Sequence, residues 1–336
     1  MNISEFAKIA GVSKSAVSRY FNDGYLSEDK RELIEKAIKQ TGYSPSISAR
    51  ASKNRVTKLV GVIIPKLSSE SCARAVEGIS EILGAEGYEL LLVNTANDYS
   101  REISSLELFR SNRVDGVILL ATVFTELHIS VLKKMRVPTV IVGQELHGFN
   151  CVCHNDYGAA YALTSLMLDK GAKDPAFIGV TLDDLAAGKA RREGFENAVR
   201  DHGINLRHGF TETAQFDMAS GYDKAAHLLS GRIKPDCIFC ATDTIALGAM
   251  SFCREKGIAI PEDIMISSVG DSKIGRFSVP SLTTAHFHYK TSGINAAELL
   301  LHDLKHGDGV TRTMRLDYTV IERESTLFGD IDQKQM

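Results

Sequence analysis

Apolar positions change their period once along the chain. In the first 43 residues they recur at helical spacing in three short runs. Ile3, Phe6, Ala7 and Ala10 give a first helix one apolar face, and Asn2 with Glu5 supplies a capping-box pair at its start. Gly11 provides the turn, since glycine takes positive φ without penalty. Ser13 then caps a second helix from Lys14 to about Asn22, with Ala16, Val17 and Tyr20 inward and Lys14, Ser15, Ser18 and Arg19 outward. Ser27 caps a third, "EDKRELIEKAIKQTGY", on the stripe Leu33, Ile34, Ala37 and Ile38. This is helix-turn-helix spacing. Residues 44–58, "SPSISARASKNRVTK", show no apolar period and much Ser, Lys and Arg, which predicts a linker that orders on a partner.

From residue 59 the pattern becomes short, near-continuous apolar runs: "KLVGVIIPK", "YELLLVNTA", "DGVILLAT", "PTVIVGQ", "PAFIGVT", "CIFCATD" and "DIMISSVGD". Between them fall helical patterns at Ala73–Glu86, Tyr157–Lys170, Ala190–His202, Gly221–Ser230 and Ile245–Lys256. Such alternation gives parallel sheets covered on both faces, and there is too much of it for one sheet. A break near "HNDYGAA" divides it into two similar halves, with Asn155 or Asp156 as a helix cap there; the tail adds the helix "TSGINAAELLLHDLK" and a strand near "TMRLDYTVI". The expected fold is an N-terminal all-α helix-turn-helix domain plus an α/β core of two doubly wound parallel-sheet lobes. A ligand cleft is expected between the lobes, at the carboxyl ends of the strands. The boundaries follow as residues 1–45 for the head, 46–58 for the hinge and 59–330 for the body. Its N-lobe takes 59–156 plus 287–318, and its C-lobe 157–286 plus 319–330.

Composition narrows the function classes. A chain of 336 residues fits two or three units, and its 44% hydrophobic and 24% charged shares are ordinary for globular proteins. No apolar stretch approaches the roughly 18 residues of a membrane span, and "MNISEFAKIA" lacks the basic and apolar regions of a signal peptide, so a cytoplasmic protein without membrane contact is expected. The six cysteines sit mostly in apolar runs, as reduced thiols do. "CIFC" reads as a buried strand and "HFH" as core, neither as a metal site, and no cofactor is implied. Charge is polarised: residues 1–58 hold 11 Lys and Arg against 6 Asp and Glu, whereas the remainder holds 28 against 36. A basic head on an acidic body points to a polyanion partner for the head alone.

The ordered set "AKIAGVSKSAVSRYFN", "GYSPSISARASKN", "GYELLLVNT", "VDGVILL", "CATDTIALGAM", "IPEDI" and "PSLTTAHF" resembles the LacI/GalR family of bacterial transcription regulators over essentially the whole chain. Within it, "SPSISARA", "GKARREGF", "CATDTIALGA" and "SVGDSKIGRFSVP" look most like trehalose operon repressors, with sucrose operon repressors the near rival. The resemblance implies a periplasmic-binding-protein-like body and a second helix lying in the major groove of a palindromic operator. There Lys14, Ser15 and Arg19 meet base edges, Arg19 forking onto a guanine, while Ser13, Ser18 and Asn22 hold phosphates. It also implies a minor-groove hinge helix that includes Arg50, and Ser52 takes the place of the usual leucine wedge, so that either kinking is weaker or the neighbouring Ala51 shares the contact.

The resemblance further implies an effector between the lobes, a sugar or sugar phosphate, a disaccharide 6-phosphate such as trehalose 6-phosphate or sucrose 6-phosphate. The matching positions are Lys66, Lys189 and Arg191 for a phosphate and Asp243 for hydroxyls. Gln144 stands where trehalose-type repressors have Arg, and Asp271 where they have a neutral residue, so each removes positive potential. A palindromic operator calls for a homodimer, and "LFGDIDQKQM" carries no leucine heptad for a tetramer. Against an enzyme stands the lack of GxGxxG after the first strand, of a P-loop and of GxSxG. Two rivals remain at this stage: a periplasmic sugar-binding protein, opposed by the helical head, and a catabolite-control regulator with a protein corepressor.

Overall fold

The computed structural model describes residues 1–21, 24–43, 56–111 and 114–328. The chain divides into two compact units, Met1–Thr57 and Lys58–Met336.

The first unit is built of α1 (Ile3–Ile9), α2 (Lys14–Tyr20) and α3 (Glu28–Thr41). Asn2 and Glu5 close the expected capping box, and Gly11 makes the turn at φ +67°. Helix α2 is shorter than its pattern suggests because Phe21 leaves the helix to pack its ring near Phe6 and Tyr43, at centroid distances of 6.3 and 6.0 Å. Ser27 takes the N-cap backbone of α3 without a side-chain bond, and the acidic Glu28 and Asp29 complement the helix dipole instead. Phe6, Ala7, Ala10, Val17, Ile34, Ala37 and Tyr43 form the small core, while Leu33 of the expected stripe is exposed.

The second unit holds two six-stranded sheets. The N-lobe sheet is ordered β11-β5-β4-β3-β1-β2, from β1 (Leu59–Ile64), β2 (Glu89–Asn94), β3 (Gly116–Leu120), β4 (Thr139–Val142), β5 (Asn150–His154) and β11 (Thr313–Leu316). The C-lobe sheet is ordered β12-β10-β9-β8-β6-β7, from β6 (Pro175–Gly179), β7 (Thr211–Thr213), β8 (Cys237–Cys240), β9 (Met265–Val269), β10 (Thr283–Phe287) and β12 (Tyr318–Ile321). Alternate residues of the N-lobe strands fill two cores. Val60, Val62, Ile118, Val140 and Val152 face α4 (Glu70–Ala85) and α12 (Tyr289–His306), whereas Ile63, Val117, Leu119 and Ile141 face α5 (Tyr99–Ser111) and α6 (Glu126–Leu132). In the C-lobe, α7 (Asp156–Asp169), α8 (Arg191–Asp201), α9 (Met218–Leu229) and α10 (Asp243–Lys256) enclose one continuous core, to which the "CIFC" cysteines belong as β8. Glycines permit the closest helix packing: a Cβ on Gly293 of α12 would lie 2.0 Å from the Ala75 carbonyl of α4.

Three expectations change. The single strand near "TMRLDYTVI" is two strands, split at Asp317 between the two sheets. β11 runs parallel in its own sheet, toward the gap between the lobes, and a one-residue link cannot reverse it. It therefore enters the other sheet as β12, antiparallel to β10. β5 and β10 carry Asn, Cys, His and Thr rather than long apolar runs, yet both are almost wholly buried. The helix at "GKARREGF" opens with a π-helical turn, Leu185–Ala190, whose Gly188 lies so close to Thr181 that a Cβ would sit 1.9 Å from its carbonyl oxygen.

The chain passes between the lobes at β5–α7, β10–α12 and β11–β12. At the first passage His154 stacks on Phe287 of the second at 4.6 Å, buried. Burial, reinforced by the charges of Arg191 and His288, lowers its pKa from 6.5 to about 3. The unfolded chain takes this proton first, so stability falls as pH drops from 6.5 toward 3, by at most about 1.4 kcal/mol per pH unit. His154→Phe, which keeps a ring on Phe287, is expected to flatten that part of the stability profile in urea titrations. An unchanged slope would contradict the assignment.

Candidate functional site

In the head, α2 and its cap turn Ser13, Lys14, Ser15, Ser18 and Arg19 outward, while Ala16 and Val17 are buried. Ser13 Oγ accepts the Ala16 amide at 3.2 Å and lies 2.9 Å from Ser15 Oγ, so it fixes the start of the helix that carries the outward row. The Tyr20 hydroxyl donates to Glu35 Oε1 at 3.3 Å, with the Arg31 guanidinium 5.6 Å from the ring centroid, which ties α2 to α3. Asn22, Arg50 and Ser52 lie outside the described residues.

In the body, the carboxyl ends of both sheets deliver polar side chains to the gap between the lobes. Lys66, two residues after β1, donates to the Phe216 carbonyl of the C-lobe at 2.9 Å. Gln144, two residues after β4, donates to Asp184 Oδ1 at 3.2 Å and to the Thr122 carbonyl. Arg74 of α4 reaches the Asp271 carbonyl at 2.8 Å and Glu70 at 2.6 Å, and Glu70 in turn accepts the Lys273 amide at 2.9 Å. The lobes are therefore held together by polar bonds at several separate points.

Asp243 and Asp271 organise the C-lobe wall. Asp243 Oδ1 accepts Ser268 Oγ at 2.6 Å and Thr284 Oγ1 at 2.8 Å, and its Oδ2 accepts the Ser272 amide at 2.6 Å. Asp271 stands at φ +50°, a left-handed conformation that costs a non-glycine residue energy. Arg323 at 2.5 Å, His286 at 2.9 Å and Arg276 at 3.0 Å converge on its carboxylate. Burial alone would raise the Asp271 pKa, but the bonds from Arg323 and His286 and the charges of Arg323 and Arg276 together hold it below the ordinary value. "HFH" thus supplies one carboxylate partner, His286, beside the core residue Phe287.

Arg191, at the start of α8, is buried. It pairs with Asp156 at 2.7 Å, donates to the Ala241 carbonyl and lies 5.3 Å from the Phe287 ring centroid. Asn155 caps α7 as expected, accepting the Gly158 amide at 3.0 Å. Lys189 sits exposed on the π-helical turn. Of the six expected effector residues, Lys66, Gln144, Arg191, Asp243 and Asp271 therefore already hold protein partners that an incoming ligand must exchange for or build upon. Sequence reasoning missed Glu70, Arg74, Asp184 and Arg323 and read Asp156 only as a possible helix cap. Asp184 too had a local signal, as an acidic cap before "LAAGKA".

Two apolar faces of the body are uncovered. Leu91 and Leu92 of edge strand β2 are exposed beside Leu67, with Leu67 and Leu92 lining a groove against α4. In the C-lobe, Ile274 and Phe277 of α11 (Lys273–Phe277) and the following Val279 stand out, the last two 81% and 88% exposed.

Residues 2–46 match "Bacterial regulatory proteins, lacI family", and residues 164–326 match "Periplasmic binding protein-like domain". The sucrose operon repressor of Staphylococcus xylosus is 32% identical over 91% of this chain and 94% of its own length. The HTH-type transcriptional repressor PurR of Haemophilus influenzae (strain PittEE) is 31% identical over 94% and 95%. In fold, the lac repressor dimer bound to operator and an anti-inducer superposes with a TM-score of 0.81, with 21% identity over 98% of this chain and 99% of that one.

Proposed function

The chain belongs to the lacI family of bacterial regulatory proteins, and on that footing we propose that it represses a sugar-utilisation operon under the control of a sugar bound between its lobes. DNA-binding transcriptional repression is the family's function, and the family is not one of enzymes. Residues 1–45 serve as the DNA-binding head, 46–58 as the hinge, and 59–330 as the effector-binding and dimerising body. The observation that carries the reading is one polypeptide joining an outward row of Lys14, Ser15, Ser18 and Arg19 on a helix-turn-helix to a two-lobed body bridged by side chains. Lys14, Ser15 and Arg19 read bases, Ser13, Ser18 and Asn22 take the backbone, and Arg50 binds DNA from the hinge with Ser52 at the wedge position. The protein works in the cytoplasm; no described helix is long and apolar enough to cross a membrane.

The effector we favour is a disaccharide 6-phosphate. The sucrose operon repressor among the relatives supports sucrose 6-phosphate, with trehalose 6-phosphate next. Lys66 and Lys189 supply cations for a phosphate, and the carbonyl that now takes the Lys66 ammonium is a partner a phosphate oxygen replaces with gain in charge complementarity. A homodimer on a palindrome has the uncovered faces at Leu91, Leu92, Phe277 and Val279 available to it.

Arg19→Ala is expected to lose about 1–3 kcal/mol of discrimination between operator and scrambled duplex while keeping weak, salt-sensitive binding. Unchanged discrimination in fluorescence anisotropy titrations would remove Arg19 from base reading. For the effector, a thermal-shift screen of free and 6-phosphorylated sucrose and trehalose is expected to stabilise the protein with a phosphorylated sugar, because a ligand of the folded state raises its stability by mass action. A shift with the free sugars alone would contradict the phosphate, and no shift with any sugar would contradict sugar control.

A further inference from the structure

The bridge between Gln144 and Asp184 is chemically incomplete. Gln144 is 3% and Asp184 4% exposed. The Gln144 amide nitrogen faces two acceptors, the Thr122 carbonyl and Asp184 Oδ1, while its Oε1 is buried with no hydrogen-bond partner among the described residues. Turning the amide over does not cure this, because it would set Oε1 against those same two acceptors. The missing element is a donor. Asp184 shows a matching asymmetry: the amides of Ala186 and Ala187, at 3.0 and 2.8 Å, and the Gln144 amide all converge on Oδ1, and none of these bonds uses Oδ2.

We propose that Gln144 and Asp184 form a hydroxyl-reading subsite, in which a sugar hydroxyl donates to the orphaned Gln144 oxygen and a neighbouring hydroxyl donates to Asp184. The inference rests on the effector cleft proposed above and assigns Asp184, from outside the expected site, a role in specificity. Two adjacent acceptors inside a closed bridge suit a vicinal diol and no anion, since a phosphate would stand beside the carboxylates of Asp184 and Asp156. If the effector is phosphorylated, its phosphate lies elsewhere in the cleft and this end takes an unmodified part of the sugar.

The proton competes with the ligand hydroxyl for the Asp184 carboxylate. Burial raises the Asp184 pKa to about 6, a rise moderated by the Ala187 amide and the Arg191 charge and assisted by Asp156. Asp183 stands next in sequence and the Tyr99 phenol feels both aspartates, so the groups facing Asp184 are Arg191, Asp156, Asp183 and Tyr99. Protonation turns Asp184 from an acceptor into a donor, so it no longer accepts the ligand hydroxyl it takes at neutral pH.

The test is the affinity of the full-length protein, by calorimetry at pH 7.5 and pH 5.0, for whichever of sucrose, trehalose and their 6-phosphates binds the natural chain most tightly. The natural protein is expected to bind at least threefold more weakly at pH 5.0. Asp184→Asn, which can still accept the Ala186 and Ala187 amides, is expected to bind at least fivefold more weakly at pH 7.5 and to lose the pH dependence. Titration of a sugar phosphate is common to both proteins and cancels in the comparison. Gln144→Leu, which removes the amide but no carboxylate, is expected to weaken binding similarly and carries the test if Asp184→Asn fails to fold. Natural affinity and an unaltered pH profile in the folded variants would overturn the subsite while leaving the effector cleft intact. No binding of any of the four sugars to the natural protein would overturn the cleft reading and the subsite with it.

Discussion

The chain crosses between its two lobes three times, and every strand except β12 runs with its carboxyl end toward the gap. Parallel sheets leave side chains beyond their carboxyl ends free of the strand ladder, which is why binding groups gather there. Here that end-on arrangement places Lys66 and Gln144 of one lobe against Phe216 and Asp184 of the other, and Arg74 of α4 adds a bond to the Asp271 carbonyl. It also dictates the antiparallel entry of β12, which cannot turn round within one residue. Lobe packing, passage geometry and ligand site are therefore one problem solved by one topology.

Charge burial in the gap follows a consistent rule. Arg191 is desolvated only together with Asp156, and Asp271 only together with Arg323, Arg276 and His286. Buried charge without such partners is expensive, so these groups are fixed parts of the wall. Asp243 is held as firmly by two hydroxyls and an amide. Gln144 differs, having a buried acceptor with nothing to accept from among the described residues, and His154 Nε2 at the first passage is likewise unpartnered. Between two groups on opposite lobes, the unfilled Gln144 acceptor is the one the proposed subsite uses.

Much of the architecture was legible because periodicity reports burial. "KLVGVIIPK" and "DIMISSVGD" read as strands because both of their faces are covered, and Asn2, Gly11, Ser13 and Asn155 acted as caps or turns in the way their chemistry requires. β5 and β10 escaped notice because their Asn, Thr and His residues are buried through hydrogen bonds that no local pattern encodes, such as Asn150 to Asp303 and Thr283 to Thr326. α5 was missed as well, because its Glu102 is buried 3.3 Å from His128, a pairing that no local pattern encodes. Within the cleft, residue types told which groups suit a sugar, but their engagements depend on partners far away in sequence. Asp271 meets Arg323 across 52 residues, and Gln144 meets Asp184 across 40.

The central claim is that a sugar held between the lobes changes the affinity of the head for its operator. The most direct measurement is an anisotropy titration of a duplex that the protein itself selects from random sequence, with and without saturating sugar or sugar phosphate. The expected result is a palindromic duplex whose binding shifts at least tenfold when the effector is present, in the same direction at every salt concentration. Identical binding curves with a sugar shown by calorimetry to occupy the protein would contradict it.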